Sequence, residues 1–119
     1  MKQVQPSYFK SWRTPNSYDL DFSPLPNSPG VYIFVACDVC CYTKGNPFVY
    51  DILYVGMSLR LAQRCNDSHE VFALLCEKYD YVKTFFKSLS KDALRETEKC
   101  LIQELHPPYN LAHRIKGEP

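Results

Sequence analysis

The stretch Leu94 to Asn110, LRETEKCLIQELHPPYN, concentrates residues whose types and spacing could do chemistry. Set on a helix, Leu94, Leu101, Ile102 and Leu105 form an apolar stripe at i, i+7, i+8 and i+11, and its missing i+4 member is Glu98. An ionised carboxylate buried without a partner is costly. Glu98 is therefore expected to be salt-bridged, hydrogen-bonded, or turned into a cleft where it holds a metal ion. A structural ion pair is the commonest of these outcomes. Upstream, Tyr32 and Tyr54 each stand beside a glycine, Gly30 and Gly56, in a chain with only four glycines. Glycine lets a backbone or a ligand approach closely. Taken alone, two such tyrosines read as core residues and Arg64 reads as a surface cation. Cys37 and Cys40 make a C-x-x-C pair followed by Cys41. That is half a zinc site, with no second pair of ligands nearby in sequence.

These residues need elements to position them. Residues 1–25 are expected to be an irregular, proline-rich arm, since residues 1–29 hold five of the nine prolines. The arm's aromatics Tyr8, Phe9 and Trp12 are expected to hug the surface of the domain. After Gly30, VYIFVA reads as a buried strand, and YDILYVG from Tyr50 to Gly56 as a second. The turn signal Lys44-Gly45-Asn46-Pro47 joins them into an antiparallel hairpin with an extended tip. Strand alternation puts Tyr32 and Phe34 on one face, and Tyr50, Ile52 and Tyr54 on one face. From Ser58 as N-cap, LRLAQR starts a helix that carries Arg64 about two turns in, interrupted by Asn66-Asp67-Ser68. HEVFALLCEKY is a second helix with Val71, Leu74, Leu75 and Lys78 at helical spacing. YVKTFFKSL is a third strand that sets Lys83 and Lys87 on one sheet face. The helix bearing Glu98 follows, opened by Ser90 and Asp92 and stopped by Pro107-Pro108.

At 119 residues, with 45% hydrophobic and 14% aromatic content, the chain fits one domain. No apolar run reaches transmembrane length and no signal-peptide core is present, so an intracellular protein without a membrane association is expected. Six cysteines without a secreted disulfide spacing are expected to be reduced thiols. Fourteen Lys and Arg against thirteen Asp and Glu give +1, which excludes a protein that grips nucleic acid by bulk charge alone. Polyanion binding would need local clustering.

GVY at Gly30 to Tyr32, YVG at Tyr54 to Gly56, Arg64 ten residues after Tyr54, Glu98 on a helix, and PPYN ending at Asn110 follow one another in an order that resembles the GIY-YIG nucleases. The resemblance runs from about Pro26 to Leu111. It implies an α+β fold, a small three-stranded antiparallel sheet flanked by helices, over residues 26–119, with a hairpin insertion at about 37–49. It also implies a metal-dependent DNA endonuclease of repair or recombination type, cytoplasmic and nucleoid-associated or nuclear. Glu98 matches the family's metal ligand, for Mg²⁺ or Mn²⁺. Arg64 matches the arginine that contacts the scissile phosphate, for which a guanidinium fork is suited. Tyr32 and Tyr54 match the paired tyrosines, with Tyr32 the candidate to orient or deprotonate the attacking water. Asn110 matches a residue that fixes its neighbours by hydrogen bonds. Lys83 and Lys87 are further candidates to bind substrate. So is His69, five residues past Arg64 and near where some relatives carry a histidine; as a helix-start residue it is expected to be exposed.

Three departures accompany the resemblance. Met57 stands where relatives often carry a lysine after the YVG glycine. The 21 residues from Ile33 to Leu53 make a longer hairpin than many relatives have. The chain ends nine residues after Asn110, which leads us to expect weak, salt-sensitive DNA binding, or a DNA-binding partner subunit. The alternative these departures favour is a catalytically weak or inactive module of the same fold that binds nucleic acid or a partner protein.

Overall fold

β-Branched and aromatic residues at Gly30–Ala36 and Tyr50–Ser58 form the two central strands of the sheet, here called β2 and β3. A computed structural model describes residues 2–16, 22–37 and 49–110. The expected hairpin insertion, Cys40 and Cys41 included, lies outside these residues except at its ends. The other strands are β1 (Gln3–Val4) and β4 (Val82–Ser88), and the helices are α1 (Leu61–Arg64), α2 (Glu70–Lys78) and α3 (Leu94–Leu105). All four strands run antiparallel in the order β1-β3-β2-β4. The α+β class is as expected, but the sheet has four strands among the described residues, not three.

The fourth strand comes from the proline-rich arm. Gln3 and Val4 pair with Asp51 and Tyr50, and the Gln3 amide donates to Asp51 Oδ1 at 2.7 Å. Two residues are too few to show a period of two in sequence. They form a strand because the outer edge of β3 presents unpaired backbone groups beside them. From that edge the arm crosses one face of the sheet and reaches the other edge, where Arg13 exchanges backbone hydrogen bonds with Phe86 of β4. On the way Phe9 stacks on Phe85 with ring centroids 4.0 Å apart, and Phe9 and Trp12 are buried. The arm is part of the core rather than a segment laid over it.

The sheet has a core on each face. On one face Val31, Ile33, Val35, Ile52 and Val55 meet the arm and the Leu94, Leu101 and Leu105 stripe of α3. On the other Tyr32, Phe34, Leu53 and Tyr54 meet Leu61 of α1 and Val71 and Leu75 of α2. Alternation fails at one point. Phe34 pairs with Tyr54 but Val35 pairs with Ile52, so Leu53 is the extra residue of a β-bulge. The bulge turns Tyr54 and Leu53 to the α2 face while Ile52 and Tyr50 stay on the α3 face. Strict alternation had put Tyr50, Ile52 and Tyr54 together.

Beyond β1, the outer edge of β3 is closed by a side chain. The Asn110 amide donates to the Val55 carbonyl and accepts from the Val55 N–H, each at 2.7 Å, and Asn110 is buried. It replaces a missing neighbour strand at one residue. Its alanine variant leaves two inward backbone groups without partners, at roughly 1–3 kcal/mol apiece. Asn110→Ala is thus expected to lower unfolding free energy by about 2–6 kcal/mol in urea denaturation, and an unchanged midpoint would show that water completes the edge equally well.

Candidate active site

Tyr32 lies on β2 opposite Gly56 of β3. A Cβ at position 56 would overlap the Tyr32 ring, so glycine there is what lets the tyrosine lie flat across the neighbouring strand. Gly30 serves a similar end, since a Cβ there would meet the Lys87 carbonyl and the Leu61 side chain. Tyr54 sits diagonally from Tyr32, with ring centroids 6.4 Å apart. The structure brings the two tyrosines together as expected from the hairpin.

Between them is His69, which is 1% exposed and not the exposed helix-start residue expected. Tyr32, Phe34 and Tyr54 surround its ring at centroid distances of 5.6, 5.1 and 5.5 Å, each edge to face. His69 is the N-cap of α2: its Nδ1 accepts the Val71 N–H at 3.1 Å. That bond places a lone pair on Nδ1, so in the neutral ring the proton is on Nε2. Nε2 lies 2.8 Å from the Tyr32 hydroxyl oxygen and donates to it. A polar cap and an aromatic cage are met by one side chain.

Burial pushes the Tyr32 hydroxyl far above its usual range; the proximity of Tyr54, Cys65 and Glu98 adds to the rise, and Arg64 opposes it. Tyr54 is also raised, by burial first, with Arg64 again opposing and Glu98 and Glu70 adding. Both tyrosines are therefore neutral phenols at pH 7. The Cys65 thiol beside them is pushed up to about 12 by burial and stays unreactive. Arg64 and Glu98 thus act on the tyrosines electrostatically, and Glu98 lines a cavity together with Tyr54.

Arg64 ends a helix of one turn, not two. Ser58 is the last residue of β3, and its hydroxyl accepts the Arg60 N–H at 3.0 Å instead of capping a longer helix. The Asn66 amide takes the Ala62 and Gln63 carbonyls, and its oxygen takes the Ser68 N–H at 2.8 Å. Such local bonds compete with helix continuation. The Arg64 guanidinium then makes a two-pronged pair with Glu70, at 2.9 and 3.1 Å. Sequence reasoning did not single out Glu70; its place six residues after an arginine, across a turn, was the available signal.

Glu98 is half-buried at the border of the α3 core stripe. It shares a cavity of about 520 Å³ with Tyr54, Asn110, Arg95, Lys99, Ile102 and Gln103. Among the described residues no three His, Cys, Asp or Glu side chains converge. A single carboxylate beside open volume suits a hard cation that takes its other ligands from phosphate and water, and does not suit a closed zinc site. A second cavity of about 490 Å³ shares Phe34 and is lined by Cys65, Phe72 and Thr84, without either tyrosine.

Lys83 and Lys87 are not part of this site. They lie on the α3 face of the sheet, opposite to Tyr32 and Tyr54. Lys83 is buried over the Tyr50 and Phe85 rings, with Nζ donating to the Tyr50 hydroxyl at 3.4 Å. Lys87 lies over Trp12 and donates to the Ser11 hydroxyl at 3.1 Å. Both hold the arm and the core with their stems and charges.

Comparison of the chain with known protein families, with curated proteins and with solved structures finds no match. Among the described residues no helix is long and apolar enough to cross a membrane.

Arg64 holds the Glu70 carboxyl down at about 2, chiefly through their hydrogen bonds. A depressed acid stabilises the fold above its ordinary value, near 4.5, and loses that contribution as pH falls toward 2. With the two side chains 39% and 56% exposed, solvent limits the pair to about 1 kcal/mol or less. Glu70→Gln is expected to be less stable than wild type by up to that amount at pH 7, with the gap closing between pH 4.5 and 2 in paired thermal melts. A gap that widened on acidification would contradict the assignment.

Proposed function

We propose that this protein is a divalent-metal-dependent DNA endonuclease with a GIY-YIG-type active site. The observation that carries the reading is that Tyr32, Tyr54 and His69 meet in one aromatic cage whose Tyr54 lines a cavity with Glu98. These are the residue types that phosphodiester hydrolysis needs: a carboxylate for a cation, a guanidinium for the phosphate, and hydroxyl and imidazole groups to place a water. Mg²⁺ or Mn²⁺ at Glu98 would supply divalent charge beside the phosphate and ease deprotonation of a water.

The residues divide the remaining work. Arg64 gives up Glu70 and forms a two-pronged contact with the phosphate, an exchange of one oxyanion partner for another. Tyr32 accepts from His69, which leaves its own hydroxyl proton to orient the attacking water once substrate uncovers the 1% exposed ring. As a neutral phenol with a raised pKa it holds that water rather than serving as the resting base. Tyr54 shares the Glu98 cavity, and Asn110 fixes the strand that carries Tyr54.

A second reading, a module of this fold that binds DNA or a partner protein without efficient cutting, is favoured by Met57, which packs against the α3-side core and brings no cation to the site, and by the Arg64 fork being taken by Glu70. The two readings separate on supercoiled plasmid and on a branched duplex at low salt with Mg²⁺ or Mn²⁺. The nuclease reading expects wild-type cutting that falls by at least about 100-fold in Glu98→Ala and in Arg64→Ala, as the loss of one transition-state contact does, while Lys83→Gln retains cutting if folded. Absence of cutting by a folded wild type that binds DNA no better than it binds after Glu98→Ala would leave only the binding module.

A further inference from the structure

Arg95 and Lys99 flank Glu98 on α3 and line the same cavity as Tyr54 and Asn110. We infer that they are the docking cations of this site, receiving backbone phosphates of a DNA strand that runs along α3 to one side of the phosphate addressed by Arg64 and Glu98. The inference rests on the nuclease reading for the identity of the strand and deepens it by naming where that strand lies.

Residues 95, 98, 99, 102 and 103 recur at i, i+3, i+4, i+7 and i+8, so they make a second stripe on α3 beside the core stripe. This stripe is the helix wall of the cavity. Arg95 and Lys99 are exposed, and among the described residues neither forms a salt bridge or a side-chain hydrogen bond, although Glu96 and Glu98 are near in sequence. Two like charges at i and i+4 repel along a helix. Four residues of helix rise span about 6 Å, a separation two cations can use on successive phosphates of one strand.

Two of the cations that the sequence offers for substrate, and the arginine of the site, are already engaged. Arg64 is engaged by Glu70 in the free protein. Lys83 and Lys87 are tied down on the opposite face. A strand that first settles on Arg95 and Lys99 brings its phosphate to Arg64 at high local concentration, and there it displaces Glu70. Docking thus precedes capture, and near-neutral overall charge is compatible with DNA binding because these two cations border the acidic centre itself.

The test is fluorescence anisotropy of a labelled DNA duplex in metal-free buffer across a salt series. Four proteins are compared after circular dichroism confirms folding: wild type, Arg95→Gln/Lys99→Gln, the charge-conserving Arg95→Lys, and Lys10→Gln/Lys78→Gln, which removes the same charge away from the cavity. Loss of two phosphate contacts lowers the slope of log affinity against log salt by about 1.8, at roughly 0.9 per phosphate. That drop is expected only in the first double variant, with Arg95→Lys and the distant pair keeping the wild-type slope. An unchanged slope in Arg95→Gln/Lys99→Gln, an equal drop in the distant pair, or a wild type that binds no DNA overturns the inference. Cleavage with Mg²⁺ is read on the same proteins. A slope that changes as expected in a protein that never cuts keeps the docking surface and removes the nuclease reading, whereas cutting with an unchanged slope does the reverse.

Discussion

The hydrogen bond from His69 Nε2 to the Tyr32 hydroxyl is the contact on which the α2 side of the molecule depends. It joins the central strand to the first residue before α2, and the other nitrogen of the same ring caps that helix. Neither end can move alone. A tyrosine buried to 1% exposure needs a partner for its hydroxyl, and the partner comes from a loop that follows α1. Gly56 makes room for the ring and the bulge at Leu53 turns Tyr54 to the same face. Three local features, none of them chemical in itself, therefore converge to place two phenols and an imidazole in contact.

Much of this arrangement is legible in the sequence where a signal repeats. The stripe of α3 with Glu98 at its border, the hairpin that brings Tyr32 near Tyr54, and the apolar positions Val71 and Leu75 of α2 follow from periods of 3.6 and 2. What escapes is what does not repeat. The bulge breaks a period by one residue and so reverses the face of Tyr50 and Ile52 relative to Tyr54. A two-residue strand has no period to show, which hid the role of Gln3 and Val4. Lys83 and Lys87 obey the alternation expected of them, but alternation says nothing about which face carries the site. His69 was misjudged because a cap residue is ordinarily wet, and only the tertiary fold supplies the aromatic cage that buries it.

The electrostatics of the cleft are those of a molecule at rest. The phenols are held neutral, Arg64 is held by Glu70, and Glu98 faces open volume with cations to either side. On the proposed reading, a phosphate entering this cleft would release Glu70, add a partner for Arg95 and Lys99, and bring negative charge beside Glu98. That last change is unfavourable unless a cation accompanies it. On the nuclease reading, a divalent ion would offset that charge at one carboxylate without a preformed cage of ligands.

The edge of β3 is closed in two halves, first by Gln3 and Val4 and then by Asn110. Those closures come from opposite ends of the described chain. During synthesis the tyrosines, the histidine and Arg64 all leave the ribosome well before Asn110 does, so a nascent chain possesses its phenols and its guanidinium while the strand carrying Tyr54 is still open on one side. Glu98 and the cavity wall also come late. Among the described residues, therefore, Tyr54 has neither the side chain that fixes its strand nor the helix that walls its cavity until α3 and Asn110 are in place.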